Sequence, residues 1–240
     1  MNQKSNILTV LICCYNAGDF LRNCLDSLMH QSTSGFDVLF INDASTDDSL
    51  EIAKAYSRFL ENFTLLNNKK NEGLVKCCKK ALALIKTPYF MRLDADDYLS
   101  PDAVERTLKE LASSEKRDFI VFKRWDVWGN EIKEVETNTD IYTWIAVGTV
   151  FSTEAVKSVG GYSDEYWEEY DLYIKLLEAG YKYKISPYRI YYYRRGHGSM
   201  SENYKKNKEG FESLLKKWGL NILEKYGNLR RILDYYGTKI

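Results

Sequence analysis

Proline is scarce in this chain, with three among 240 residues, so there is no material for a proline-rich spacer between domains. No internal repeat or low-complexity tract interrupts the sequence either. Net charge is absent as well: lysine plus arginine total 34 and aspartate plus glutamate total 34, so no overall field recruits nucleic acid or anionic lipid. Long apolar runs are missing. The longest, residues 7–14 and 144–151, fall well short of the roughly 18 residues of a membrane-crossing helix. The first of them follows a single lysine and precedes no small-residue cleavage pattern, unlike a secretory leader. Five cysteines (Cys13, Cys14, Cys24, Cys77, Cys78) include no pair with the two-residue gap of a zinc or redox motif. They are expected to be reduced, buried small hydrophobes. What is present is ordinary globular composition, 45% hydrophobic and 28% charged, and a single α/β domain accommodates this length. A soluble, cytoplasmic chain is expected.

The first half alternates two kinds of segment. Apolar, β-branched-rich runs at 7–13, 38–42, 63–67 and 89–93 are separated by helix-like stretches at 20–30, 48–60 and 74–85. Leu21, Cys24, Leu25 and Leu28 follow the spacing of an amphipathic helix, and Leu74, Cys77, Ala81, Leu84 and Ile85 repeat it. Near-continuous apolar strands between such helices predict a mainly parallel sheet covered on both faces. Farther on, the spacing predicts a helix over 101–113 with Ser100 as cap, a strand over 119–124 and a loop-rich region over 126–140. A short helix over 153–159, a helix over 169–179 and two strands, 181–186 and 188–193, follow. The tail from residue 201 reads as two amphipathic helices. One carries Phe211, Leu214, Leu215 and Trp218, the other Ile222, Leu223, Tyr226, Leu229 and Leu233.

Polar groups fall where the strands end. Tyr15-Asn16, Asp43, Asn71-Glu72-Gly73 and Asp94–Asp97 all sit at or just after the four strand ends. In a parallel sheet those ends share one edge, where ligands bind. Asp94 and Asp96 are two apart, so both side chains point the same way in extended chain. Hard divalent ions prefer oxygen ligands, and such ions commonly join one or two carboxylates to a substrate's phosphates. The bland alternative is a solvated turn ahead of a helix.

The segments LTVLICCYNAGDFLRNCLDSL, DVLFINDASTDDS, NEGLVKCCKKALALIKTPYFMRLDADD, GGYSDEYWEEYDLYIKLLEAGY and YYYRRGHGSMS, in that order, resemble family 2 glycosyltransferases of the GT-A fold. The resemblance implies a GT-A-type, Rossmann-like α/β fold: a mixed, mainly parallel sheet flanked by helices. Its domain would span 1–200, with a nucleotide-sugar half at 1–98, an acceptor half at 99–200, and a helical extension at 201–240. It also implies an inverting, metal-dependent enzyme that moves a sugar from a nucleotide-diphospho-sugar, a UDP-sugar foremost, to an acceptor hydroxyl. The acceptor would be a glycan, a lipid-linked sugar or a protein.

By that resemblance Tyr15, Asn16 and Gly73 line the nucleotide pocket, Asp43 meets the base, and Asp94 and Ala95 lie near the ribose. Asp96 holds Mn²⁺ or Mg²⁺ against the diphosphate. Glu168 and Glu169 take the places of the family's Glu-Asp pair, which makes Glu169 the general base. The competing reading for two acids there is a helix start favoured by the dipole. Arg194, Arg195 and His197 belong to a glycine-flanked loop that would close over the donor, although a solvated basic turn has the same composition. Trp144, Tyr162, Tyr166 and Trp167 are placed at the acceptor, since sugar rings stack on aromatic faces; core packing is the competing reading. The chain departs from the family pattern at Asn42 (an aspartate in the family), Cys13-Cys14, Cys77-Cys78-Lys79 and the second glutamate of the pair.

Two other classes share parts of this pattern. A sugar nucleotidyltransferase also combines a sheet edge, aspartates and a metal, but its glycine-rich basic loop is lacking in CCYNAGDF. A non-catalytic nucleotide-binding module would keep the fold alone. The basic, amphipathic tail suggests either peripheral membrane contact at the cytoplasmic face, a homodimer, or packing on the domain.

Overall fold

The computed structural model describes residues 6–113, 117–198 and 202–236. Strand β1 (Leu8–Cys14) leads through α1 (Gly18–Met29) to β2 (Asp37–Asn42), α2 (Ser49–Tyr56), β3 (Phe63–Asn67), α3 (Leu74–Leu84) and β4 (Tyr89–Arg92). The four strands lie in the order β3-β2-β1-β4 and all pair in parallel. The pleat sends alternate side chains to opposite layers. Leu8, Val10, Ile12 and Cys14 pack with α1 and α2, whereas Leu11 and Cys13 meet α3. All five cysteines are free thiols, four of them buried, as the sequence suggested.

The remaining elements are β5 (Tyr98–Leu99), α4 (Ala103–Leu111), β6 (Phe119–Trp128), β7 (Glu131–Val135), a 3₁₀ turn (Ile141–Thr143), β8 (Val150–Ser152), α5 (Thr153–Ser158), α6 (Glu168–Glu178), β9 (Tyr183–Arg195), α7 (Tyr204–Tyr226) and α8 (Leu229–Tyr236). They extend the sheet past β4 in the order β8-β6-β9-β5, with β7 flanking β6. Strand β8 runs antiparallel to β4 and β6, while β9 runs parallel to β6. The result is one mixed, mainly parallel sheet flanked by helices, as the sequence suggested.

Four differences from the expected elements have local causes. The loop-rich region is in part a hairpin: β6 turns through Gly129-Asn130, with Gly129 at φ +54°, and pairs Trp128 with Glu131. A two-residue Gly-Asn turn is a hairpin signal that the polar composition hides. The two strands expected over 181–193 are one, β9. Between the pairs Val121–Ile185 and Lys123–Arg189 its register shifts, and the irregularity absorbs Pro187, which has no N–H to give to the ladder. Helix α4 starts at Ala103, because the Ser100 hydroxyl is spent on the Asp102 carboxylate (2.8 Å). The second tail helix is broken: α7 runs on to Tyr226 and kinks at Gly219 (φ +74°), and α8 starts afresh.

The tail is part of the domain. Phe211, Leu214 and Leu223 of α7 and Leu229, Leu233 and Tyr236 of α8 are buried in the same core as α3 and α6. The apolar stripes that suggested membrane or dimer contact are covered by the protein's own core. Among the described residues no helix is long and apolar enough to cross a membrane.

Helix α7 comes close to the turn before α6 at Gly210, where an added Cβ would stand 2.8 Å from Trp167 Cδ1 and 2.9 Å from Tyr166 Cδ1. Alanine is the better helix former by about 1 kcal/mol, but overpacking costs about 1–3 kcal/mol. Gly210→Ala is therefore expected to lose up to about 2 kcal/mol net, a thermal midpoint lower by up to about 8 °C in calorimetry. A raised midpoint would mean that the two rings yield.

Candidate active site

The carboxyl ends of β1, β2 and β4 open into a cavity of about 1230 Å³. Tyr15, Asn16, Asp43, Gly73, Asp94, Ala95 and Asp96 all line it, so the strand-end residues singled out in the sequence do converge. Asn16, Asp43 and Gly73 are held by local hydrogen bonding. Asn16 sits at φ +51° and its side-chain oxygen accepts from the Thr46 N–H at 2.8 Å. Asp43 accepts from the Asn68 side chain (2.7 Å) and from the N–H groups of Glu72 (2.9 Å) and Gly73 (2.7 Å). Burial would push its carboxyl up, but these three donors outweigh burial and hold it below the usual range. Asn42, by contrast, is buried against Asn67 (2.8 Å) and does not line the cavity. An ionised aspartate there would be a charge confined between two strands.

The aspartate loop is fixed from behind. The Tyr191 hydroxyl donates to Asp97 Oδ2 (2.8 Å) and accepts from the Asp94 N–H (3.1 Å). Asp97 Oδ1 accepts from the Arg194 N–H (2.7 Å). Asp94, Asp96 and Asp97 bring ligand oxygens within 4.8 Å of one another, a group able to hold a metal. Asp97 is engaged on both oxygens, which leaves Asp94 and Asp96 to face the cavity.

Arg194 does not reach the cavity. Its guanidinium donates to the Asp96 carbonyl (2.8 Å) and to Asn23 (2.7 Å) and lies over Tyr98 and Phe20. The expected diphosphate contact is corrected to a brace for the aspartate loop. Arg195 does line the cavity, oriented by Asp126 (3.3 Å), which also binds Arg124 (2.8 Å). His197 places Nε2 2.8 Å from Asp96 Oδ2, its ring against Phe20, while its buried Nδ1 has no hydrogen-bond partner. Gly196 and Gly198 both donate backbone N–H groups to Glu202. The end of the expected closing loop, 199–201, lies outside the described residues.

The residue that sequence reasoning missed is Arg92, the last of β4. It is buried, and its guanidinium gathers three carboxylates: Glu168 at 2.8 Å, Asp94 at 3.0 Å and Glu169 at 3.9 Å. Only its position, inward on the final turn of a buried strand two residues before Asp94, could have pointed to it. The two glutamates at the start of α6 are thereby separated in kind. Glu168 is buried and locked on Arg92, whereas the Glu169 side chain stays 23% exposed on the cavity wall. Burial and the Glu168 charge push the Glu169 carboxyl up to about 8, against the pull of Arg92. Burial with the Asp96 and Glu168 charges likewise raises Asp94, again opposed by Arg92.

Of the aromatic residues expected at an acceptor, Tyr166 and Trp167 line the cavity. Trp144 and Tyr162 do not. Trp144 is 1% exposed, packed edge-on against Phe119 and Tyr173, with its indole N–H given to the Asn138 carbonyl (2.6 Å). Tyr162 is buried too. Trp144 has no face to offer a sugar, and its placement is corrected to the core.

Against known proteins, the sequence pattern of glycosyl transferase family 2 matches residues 9–151. Chondroitin synthase of Pasteurella multocida (strain Pm70) is 28% identical over 189 residues, 72% of this chain and 19% of that protein. The chain spans 15% to 34% of the length of the curated relatives it matches. Among solved structures, S. aureus TarS 1-349 in complex with UDP-GlcNAc superimposes with a TM-score of 0.73 at 20% identity, over 97% of this chain and 74% of that one. Mannosyltransferase PcManGT from Pyrobaculum calidifontis, in complex with GDP-Man and Mn²⁺, gives 0.69 at 15% identity, over 90% and 64%. At such identities the two superpositions establish the GT-A fold.

Removing one partner from a buried ion cluster costs about 3–5 kcal/mol. Arg92→Met is expected to lose that much in urea unfolding at pH 8, where three carboxylates remain near one another without their cation. The folded variant would hold protons that the unfolded chain releases, so its deficit should shrink at pH 5. An equal deficit at both pH values would assign the loss to packing rather than charge.

Proposed function

The chain belongs to glycosyl transferase family 2, and from that membership we propose that it transfers a sugar from a nucleotide-diphospho-sugar to an acceptor hydroxyl with inversion. The product would be a polysaccharide or another glycoconjugate, the sphere in which the chondroitin synthase relative works. The observation that carries the reading is that Glu169, half-exposed and with a raised pKa, shares one cavity with Asp96. A proton acceptor and a group suited to a diphosphate-bound metal thus face the same space.

The nucleoside end is the sheet edge. Asp43 keeps acceptor capacity beyond its three protein donors, since an ionised carboxylate has about four lone-pair sites, and it can take a ring N–H of the base. Tyr15, Asn16 and Gly73 shape the pocket, and Asp94 with Ala95 lies toward the ribose. The structures bearing UDP-GlcNAc and GDP-Man support a nucleotide-sugar donor, and a UDP-sugar is the first to test.

The side chains present fit a divalent ion: Asp96 offers a half-exposed carboxylate on the cavity wall, and His197 Nε2 stands beside it. Asp96 and His197 would hold Mn²⁺ or Mg²⁺, which when bound stabilises the charge that develops on the departing diphosphate. Arg195, aimed into the cavity by Asp126, presents a guanidinium suited to phosphate oxygens.

Glu169 takes the proton of the acceptor hydroxyl as its oxygen bonds to the anomeric carbon. The bond from that carbon to the diphosphate oxygen breaks on the opposite face, and the nucleoside diphosphate leaves with the electron pair. One displacement gives inversion. Glu168 stays on Arg92 and keeps the start of α6, and hence Glu169, in register with the aspartate loop.

Thermal-shift measurements with UDP, GDP and dTDP, each with Mn²⁺ or Mg²⁺, should give a metal-dependent rise that Asp96→Ala removes. Equal rises in both proteins would contradict the role of Asp96. Glu169→Gln should keep the wild-type shift yet lower kcat by about 10²–10⁴-fold. Because burial, Glu168 and Asp94 raise the Glu169 pKa while Arg92 and Arg124 lower it, the wild-type rate should climb with pH through about 8. A rate flat over that range would remove Glu169 as the base.

A further inference from the structure

The cavity of about 1230 Å³ exceeds the roughly 300–1,000 Å³ of a pocket shaped for one small ligand. Its lining includes the turn carrying Tyr166 and Trp167 together with helix α8. This helix is firmly seated. Leu229, Leu233 and Tyr236 are buried, and the Tyr236 ring stacks on Phe211 at 5.9 Å and tilts against Trp167 at 5.9 Å.

The docked face leaves another for the cavity. Arg231, Asp234 and Tyr235, three and four apart and therefore on one side of the helix, line its rim. The Tyr235 ring is 66% exposed, yet it is propped at 4.8 Å edge-on by Tyr236 and at 5.9 Å by Tyr204. Among the described residues Arg231 and Asp234 enter no ion pair, although they are one turn apart. The rim offers an aromatic face, a guanidinium that only donates and a carboxylate that only accepts.

That combination matches a sugar ring, which has an apolar C–H face and hydroxyls able both to donate and to accept. A bare phosphate or an anionic lipid headgroup would meet Asp234 as repulsion. We propose that the rim face of α8 is the acceptor subsite and that the acceptor is a carbohydrate chain, one ring resting on Tyr235 with its hydroxyls shared between Arg231 and Asp234. Glu169 lines the same cavity, so a neighbouring hydroxyl of that chain has a proton acceptor within the space it occupies. The assignment rests on the glycosyl-transfer reading above and names its acceptor class. It also gives the tail a task in the reaction.

The test uses the full chain with Mn²⁺ and whichever nucleoside diphosphate gives the largest thermal shift. Immobilised short oligosaccharides, neutral and uronate-containing, and vesicles of anionic phospholipid serve as probes. The wild type should bind at least one oligosaccharide. Tyr235→Ala and Arg231→Ala should each weaken that binding about tenfold, the scale of one lost ring or charged contact, while Tyr235→Phe keeps it. The nucleoside diphosphate shift should be the same in all four proteins. If the wild type shows that shift but binds only vesicles or no probe, or if Tyr235→Ala binds oligosaccharide as the wild type does, the acceptor assignment falls and the transfer reading stands. If the wild type shows no shift with any nucleoside diphosphate, both fall.

Discussion

The charge cluster around Arg92 is the constraint on which the site depends. A guanidinium is a weakly hydrated cation with a fork of donors, and burying it is tolerable only where anions meet it. Three do, from two distant parts of the chain: Asp94 just beyond β4, and Glu168 and Glu169 at the start of α6. The Coulomb attraction that compensates burial also fixes the distance between the aspartate loop and the acid pair. Well-packed apolar residues could match such a cluster in stability. They could not hold Glu169 beside the aspartate loop while Arg92 checks the rise that burial and Glu168 impose on its pKa.

The other supports serve the same geometry from other sides. Tyr191, in β9, threads its hydroxyl between Asp97 and the Asp94 N–H. Arg194 reaches past it to the Asp96 carbonyl. Asp97 and Arg194 are thus positioning groups, and the residues they serve, Asp94 and Asp96, keep their oxygens toward the cavity. On the opposite side, the bare backbone of Gly210 lets α7 come against Tyr166 and Trp167. Helix α7 thereby meets the Trp167 ring on which Tyr236 of α8 also packs.

Much of this was legible in the residues. Apolar strands alternating with amphipathic helices were enough for the parallel half of the sheet, because period and composition act locally. Four polar clusters at four strand ends were enough to foresee that they line one cavity at the sheet edge, since parallel strands must end together. The hairpin at Gly129-Asn130 was hidden by its polar strand β7, and β9 was divided in two by Pro187, a residue a bulge can absorb. Trp144 and Tyr162 read as sugar platforms because an aromatic's composition says nothing about which side of a sheet it faces.

The sequence by itself determined which chemistry is available: carboxylates at a sheet edge, a glutamate pair at a helix start, a basic glycine-flanked turn, and the order of motifs that marks the family. Tertiary structure alone decided how those groups divide the work. It put Arg92 beside acids some 76 positions away, locked Glu168 and left Glu169 open, spent Arg194 on the loop and turned Arg195 to the cavity. It also folded the tail's apolar stripes inward. The reason is physical: charge and hydrogen-bonding capacity belong to a residue, but desolvation and the distance between charges belong only to the folded chain.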